Sequence, residues 1–185
     1  MYIEKEKLLS AYSKIGPALA EFSLPSWEEL PDLELYMDQV ISLIKKYLNL
    51  FYDATGAEKF ITPSMINNYV MLGIIPAPVK KKYSKKHLAY LLVICSLKQT
   101  LDMSTIQKIF PLDNDEEYIM KNYNTFVRNQ HKAHGYVIAK VLDVARPILE
   151  FEGDNPDRVD DLTMQVSASA NIFKILTETL SRMSE

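Results

Sequence analysis

Apolar residues recur at three- and four-residue spacing along most of the chain, the pattern of helices that bury one face. The register is clearest from about Leu33 to Tyr52, where Met37, Val40, Ile41, Ile44, Tyr47, Leu48 and Phe51 form one stripe. Asp38, Gln39, Ser42, Lys45, Lys46 and Asn49 lie opposite it. A shorter stripe follows over 62–72, with Met65, Ile66, Tyr69, Val70 and Leu72 on one side and Ser64, Asn67, Asn68 and Met71 on the other. Thr62-Pro63 supplies an N-cap and a proline at the first helical position, and Gly73 stands where a left-handed residue closes a helix. Ser84 is placed to cap a helix reaching about Thr100. Leu88, Leu91, Leu92, Ile94, Cys95 and Leu97 make that helix apolar almost all round, which predicts the central buried element. Met103, Ile106, Ile109 and Phe110 predict a short helix ended by Pro111.

Two long patterns follow. Helical register over about 115–151 passes through Gly135 without other punctuation, which fits one helix or two meeting there. A break at 151–157 precedes a last helix over 160–183, with Leu162, Val166, Ile172, Phe173, Leu176 and Leu180 in register. Before Leu33, residues 4–20 read as a helix with Leu8, Leu9, Tyr12 and Ile15 on one side. Ser26-Trp27-Glu28-Glu29 has capping-box spacing, predicting a short helix between Pro25 and Pro31, with Phe22 and Trp27 plugged into a core. The expectation is seven or eight helices and one small β-hairpin after Pro78.

Length and composition narrow this little. A chain of 185 residues holds one large domain or two small ones, and only five Gly and one Trp argue against an all-β fold. The longest apolar run, Leu88–Cys95, is far short of a membrane span, and Cys95 inside it is the single cysteine, expected to pack as a small hydrophobe. The first residues, MYIEKEKLLSAYS, carry charges where a signal peptide has its apolar stretch, so a cytoplasmic location is expected.

Charge changes the picture more. The net charge is −3, yet Lys59 to Leu101 holds seven lysines and no acid, leaving −10 for the rest. Lys80, Lys81, Lys82, Lys85 and Lys86 fall within seven residues, with no Asp or Glu nearby in sequence to neutralise them. Residues 21–38 are the reverse, with Glu21, Glu28, Glu29, Asp32, Glu34 and Asp38 and no base. A short amide-faced helix beside a lysine-rich hairpin suits a nucleic-acid duplex: amides pair bidentately with adenine, and ammonium groups neutralise phosphates. His131 and His134, three apart, lack a third ligand at telling spacing and are expected to be structural. No phosphate-binding glycine loop, nucleophile elbow or carboxylate pair stands out, so no catalysis, cofactor or metal is expected.

Residues 61–110 resemble the DNA-binding head of the MerR-type winged helix-turn-helix regulators. The resemblance rests on the step Gly73-Ile74-Ile75-Pro76, a wing closing at Tyr83-Ser84, and helices over 85–100 and 103–110. Over most of its length the chain also resembles the YkrK-like bacterial family of uncharacterised proteins, described as transcriptional regulators. Asn67 and Asn68 replace the arginine and aromatic common in MerR recognition helices, while Lys81 stands for the wing arginine. The docking mode is implied, the base preference is not. The metal sensors' cysteine-rich loop is absent, so metal sensing is not implied.

The resulting expectation is a mostly α protein in three parts: an N-terminal helical segment at 1–32, a winged helix-turn-helix head with a small β-hairpin wing at 33–111, and a helical dimerisation or effector region at 112–185. It is expected to bind double-stranded DNA sequence-specifically as a homodimer and to regulate transcription. The expected contacts are Thr62, Ser64, Asn67, Asn68 and Met71 from the helix, and Lys80, Lys81, Lys82, Tyr83 and Lys85 from the wing. Tyr69 is expected as support. A small-molecule effector is left open. The rival is a helical interaction module whose basic face binds an acidic partner, with the chain's own 21–38 stretch as one candidate.

Overall fold

The computed structural model describes residues 10, 21–54, 60–149 and 156–183, and among them the chain is mostly α-helical. Seven helices follow one another: α1 (Met37–Tyr47), α2 (Asn49–Ala54), α3 (Pro63–Met71), α4 (Lys85–Leu97), α5 (Met103–Ile109), α6 (Glu116–Leu149) and α7 (Pro156–Met183). The predicted helix over 4–20 lies outside the described residues. Two compact units emerge, one spanning residues 23–130 and the other gathering the described residues before and after that stretch.

The first unit is built on α4. Its residues from His87 to Ser96 are all buried, as the apolar pattern predicts. Each Leu or Ile fully buried there contributes roughly 1.5–3 kcal/mol relative to exposure. α1 packs on α4 through the predicted stripe, burying Val40 and Ile44, and α3 packs on α1 while α5 packs on α4. The long helix expected from Leu33 to Tyr52 is shorter and broken. Leu35 is extended, exchanging two 2.8 Å backbone hydrogen bonds with Tyr83, so helix can begin only after it. Tyr36 is the N-cap, its N–H donating to Gln39 Oε1 at 2.9 Å, and Leu48 separates α1 from α2.

The helix expected between Pro25 and Pro31 is a single turn. The Ser26 N–H donates to Glu29 Oε2 at 2.7 Å as the capping box requires, but Pro31 has no N–H to continue the ladder. The turn belongs with the first unit. Trp27, Leu30 and Leu35 are buried; the Trp27 N–H donates to Asn124 Oδ1 at 2.8 Å, and the Tyr123 hydroxyl donates to the Pro25 carbonyl at 2.9 Å. Ile119 and Tyr123 of α6 are buried as well. The compact unit therefore reaches beyond 33–111 at both ends, tied by contacts nearly a hundred residues apart in sequence.

In the other unit, α6 runs through Gly135 as one helix, and the Phe22 and His134 rings meet edge to face at 5.4 Å. α7 begins at Pro156, a proline at the first helical position, slightly before the expected start. No helix among the described residues is long and apolar enough to cross a membrane.

Candidate functional site

α3 is set by its two ends. Thr62 Oγ1 accepts from the Met65 N–H at 3.3 Å, and Pro63 follows as the first helical residue. At the far end Gly73 takes φ +66°, where a Cβ is strained. The Ile74 N–H then reaches the Tyr69 carbonyl at 2.8 Å and the Gly73 N–H the Val70 carbonyl at 3.1 Å, closing a Schellman motif. Ile74 and Ile75 plunge into the core behind it, and Ile66 and Tyr69 face the same way. Burial pushes the Tyr69 hydroxyl up to about 12, which fits support rather than contact. Ser64, Asn67, Asn68 and Met71 are exposed, Met71 to 75%. No described residue hydrogen-bonds the side-chain amides of Asn67 and Asn68.

A residue that sequence reading missed holds the entry to α3. Lys98, the C-cap of α4, donates from Nζ to the Phe60 carbonyl, stands 5.2 Å from the Phe60 ring centre and lies 3.9 Å from Met65 Sδ. The Phe60 carbonyl is thereby satisfied by a charge-assisted bond. One of the seven lysines is thus committed to the fold.

The lysine-rich stretch reverses in two residues. Val79 and Lys82 exchange backbone hydrogen bonds at 3.1 and 2.9 Å, with Lys80 at φ +49° and Lys81 at φ +64° between them. Two consecutive positive φ angles define a turn that usually takes Asn-Gly. Among the described residues these two lysines are the only non-glycine residues with positive φ. Pairing is limited to isolated bridges, Val79 with Lys82 and Tyr83 with Leu35, rather than continuous strands.

Folding divides the lysines into two groups. Lys80 and Lys81 are exposed at the tip, and no described residue forms a hydrogen bond or ion pair with either side chain. At the root, Lys82 Nζ meets Glu34 Oε2 at 3.3 Å and stands 6.0 Å from the Tyr36 ring centre. Lys85 lies over the Trp27 ring at 5.4 Å. It also helps, in the smallest measure, to hold the Glu28 carboxyl below the usual range, the main cause being a backbone hydrogen bond. The acid-free surroundings expected from local sequence are therefore corrected. The Leu35–Tyr83 bridge lays residues 32–36 along the hairpin, and a cleft of about 350 Å³ sets Asp32, Glu34 and Glu116 among Lys82, Lys85 and Lys86.

Tyr83 requires a correction too. In place of the interface role expected of it, it is buried, with its ring edge-on to His87 at 5.3 Å and its backbone paired to Leu35, so its side chain belongs to the core. His87 itself completes a capping box that the sequence hid. Its Nδ1 accepts from the Ser84 N–H at 2.9 Å, the role Glu or Gln usually fills. Its Nε2 then carries the proton, 3.4 Å from the Ala77 carbonyl. Burial holds this imidazole below its ordinary value, with Lys86 lowering it further and the backbone of Ala77 opposing.

No group of His, Cys, Asp and Glu among the described residues is arranged to hold a metal ion. His134 packs on Phe22, and burial raises the Cys95 thiol to about 11. The geometry offers instead an exposed amide face on a rigidly capped helix and a cationic two-residue turn.

The chain belongs to the family defined by the domain of unknown function DUF1836, which matches residues 25–126, nearly the whole of the first compact unit. No curated protein and no solved structure matches it.

Proposed function

We propose that this member of the DUF1836 family is a MerR-type winged helix-turn-helix protein that binds double-stranded DNA as a homodimer and regulates transcription in the cytoplasm. The observation that carries the reading is the hairpin tip. Left-handed backbone costs an L-residue about 1–2 kcal/mol, and Lys80 and Lys81 both adopt it where Asn-Gly would fit without strain. Strain held at exposed cations points to a use for their charge. In this reading the tip neutralises phosphates, helped by Lys82 and Lys85 at the root. α3 enters the major groove with Thr62 and Ser64 near the backbone and Asn67, Asn68 and Met71 toward base edges.

Support for the homodimer comes from α7. Val166, Phe173, Leu176, Leu180 and Met183 follow a heptad seam, and each is between 48% and 76% exposed. A second copy of α7 covers that seam. Two copies also supply two recognition helices, one for each half-site that helix-turn-helix proteins read.

Replacing Lys80-Lys81 by Asn-Gly tests the reading, because fold and function move in opposite directions. The variant should melt higher, since the turn is relieved. Its affinity for duplex fragments, followed by fluorescence anisotropy across a salt series, should fall, with the slope of log K against log salt shallower by up to about 2. Unchanged affinity and slope would remove the tip from the interface. The Lys82–Glu34 pair, in which a carboxylate already sits on this surface, favours a second reading: an interaction module for an acidic protein. Equal displacement of duplex by polyglutamate and by any DNA sequence favours that module.

A further inference from the structure

The segment before α1, which the sequence offers as an acidic stretch and a candidate partner for the basic face, lies along the lysine-rich turn. Leu35 pairs with Tyr83 through two backbone bonds, which fixes the register of its neighbours. Glu34 is thereby delivered to Lys82 at 3.3 Å, and the Tyr36 ring centre lies 6.0 Å from the same ammonium. Both members of the ion pair remain open to solvent, so the pair can be exchanged. Asp32 stands in the same cleft.

We infer that Glu34 is an internal competitor for the phosphate that Lys82 would hold, so that the root of the hairpin is shielded while the tip is not. This rests on the duplex-binding reading above and specifies how that site is regulated. Coulomb's law supplies the reason. A phosphate approaching Lys82 meets a carboxylate at hydrogen-bond distance from the same ammonium, and net attraction at that point is close to cancelled. Lys80 and Lys81 carry no such counter-charge among the described residues. At the turn itself, non-specific phosphate contact therefore falls to Lys80 and Lys81 rather than to Lys82. Lys82 is released only where docking of α3 brings a phosphate close enough to displace Glu34. The shield lowers affinity for arbitrary duplex more than for a fitting site.

The test is a cycle of Glu34→Gln, Lys82→Ala and the double variant, in the full chain, titrated against random-sequence duplex at several salt concentrations. Glutamine keeps the shape and removes the charge at an exposed position. Glu34→Gln should bind random duplex roughly two- to five-fold more tightly, the range of an exposed ion pair. Its salt slope should steepen by up to about 0.9, one phosphate's worth. Lys82→Ala should cost more in the Glu34→Gln background than in the native one. Equal Lys82→Ala penalties in both backgrounds would overturn the shield while leaving duplex binding intact. Weaker binding by Glu34→Gln would also overturn it, making Glu34 a positioning residue for Lys82. Absence of any duplex binding by the native chain removes the underlying reading and the shield together.

Discussion

α4 and α7 are both rich in large apolar side chains, and they differ in what surrounds them. In α4 every residue from His87 to Ser96 is buried, and α1 and α5 pack against it. In α7 the described large apolar side chains lie on one side of the helix, with Met164, Ile172 and Ile175 beside the seam of Val166, Phe173, Leu176, Leu180 and Met183, and are about half exposed or more. Apolar content is the same kind of sequence signal in both. What separates them is its angular spread: a helix apolar all round must be enclosed by its own chain, whereas a seam needs cover on one side only. α4 is thus enclosed by its own chain, and α7 carries the open apolar surface on which the proposed homodimer rests.

The largest effect expected from that contrast is in α4. Leu91→Ala, at a fully buried position, should cost about 2–5 kcal/mol through lost transfer energy and a residual cavity, read as a shift of the denaturant midpoint. A cost under about 1 kcal/mol would mean that α4 is not the centre of the unit. Next is the charge-bearing double variant Phe173→Glu and Leu176→Glu on α7. It should convert the proposed dimer to monomer in sedimentation while shifting the unfolding of the first unit by no more than about 0.5 kcal/mol. A monomer before substitution, or a dimer after it, would break the contrast.

The smallest effect lies at the start of α4. His87 is held below its ordinary value near 6.5 chiefly by burial, so the unfolded chain takes up a proton at a higher pH than the folded one. Its contribution is whole above about pH 6.5 and is lost as pH falls through the lower folded value. His87→Gln keeps an acceptor for the Ser84 N–H and should narrow the gap between melting temperatures at about pH 7 and about pH 5.5. Some gap persists, because burial and His131 lower His134 in the same direction. An unchanged gap would place the titration elsewhere.

What was legible in sequence was local. The Thr62 cap, the closure at Gly73, the burial of α4 and the apolar register of α7 each depend on residues a few positions apart. The rest depends on partners far along the chain. Lys98 and Phe60 are 38 residues apart, and Trp27 and Asn124 are 97 apart, so neither contact leaves a local pattern. The lysine cluster reads as uniform because composition has no direction. The turn at Lys80-Lys81 gives it one, sending Tyr83 inward, setting Lys82 beside Glu34 and leaving the tip outside. The amide face of α3 sits where periodicity placed it.

The brevity of that turn bears on how salt would act on the proposed duplex binding. In the duplex-binding reading, Lys80 and Lys81 at the turn, which no described residue pairs, would displace on the order of two bound ions per copy, beyond what Lys82 and Lys85 release at the root. A duplex binder of that kind would lean on shape and amide pairing as well as charge to choose its place.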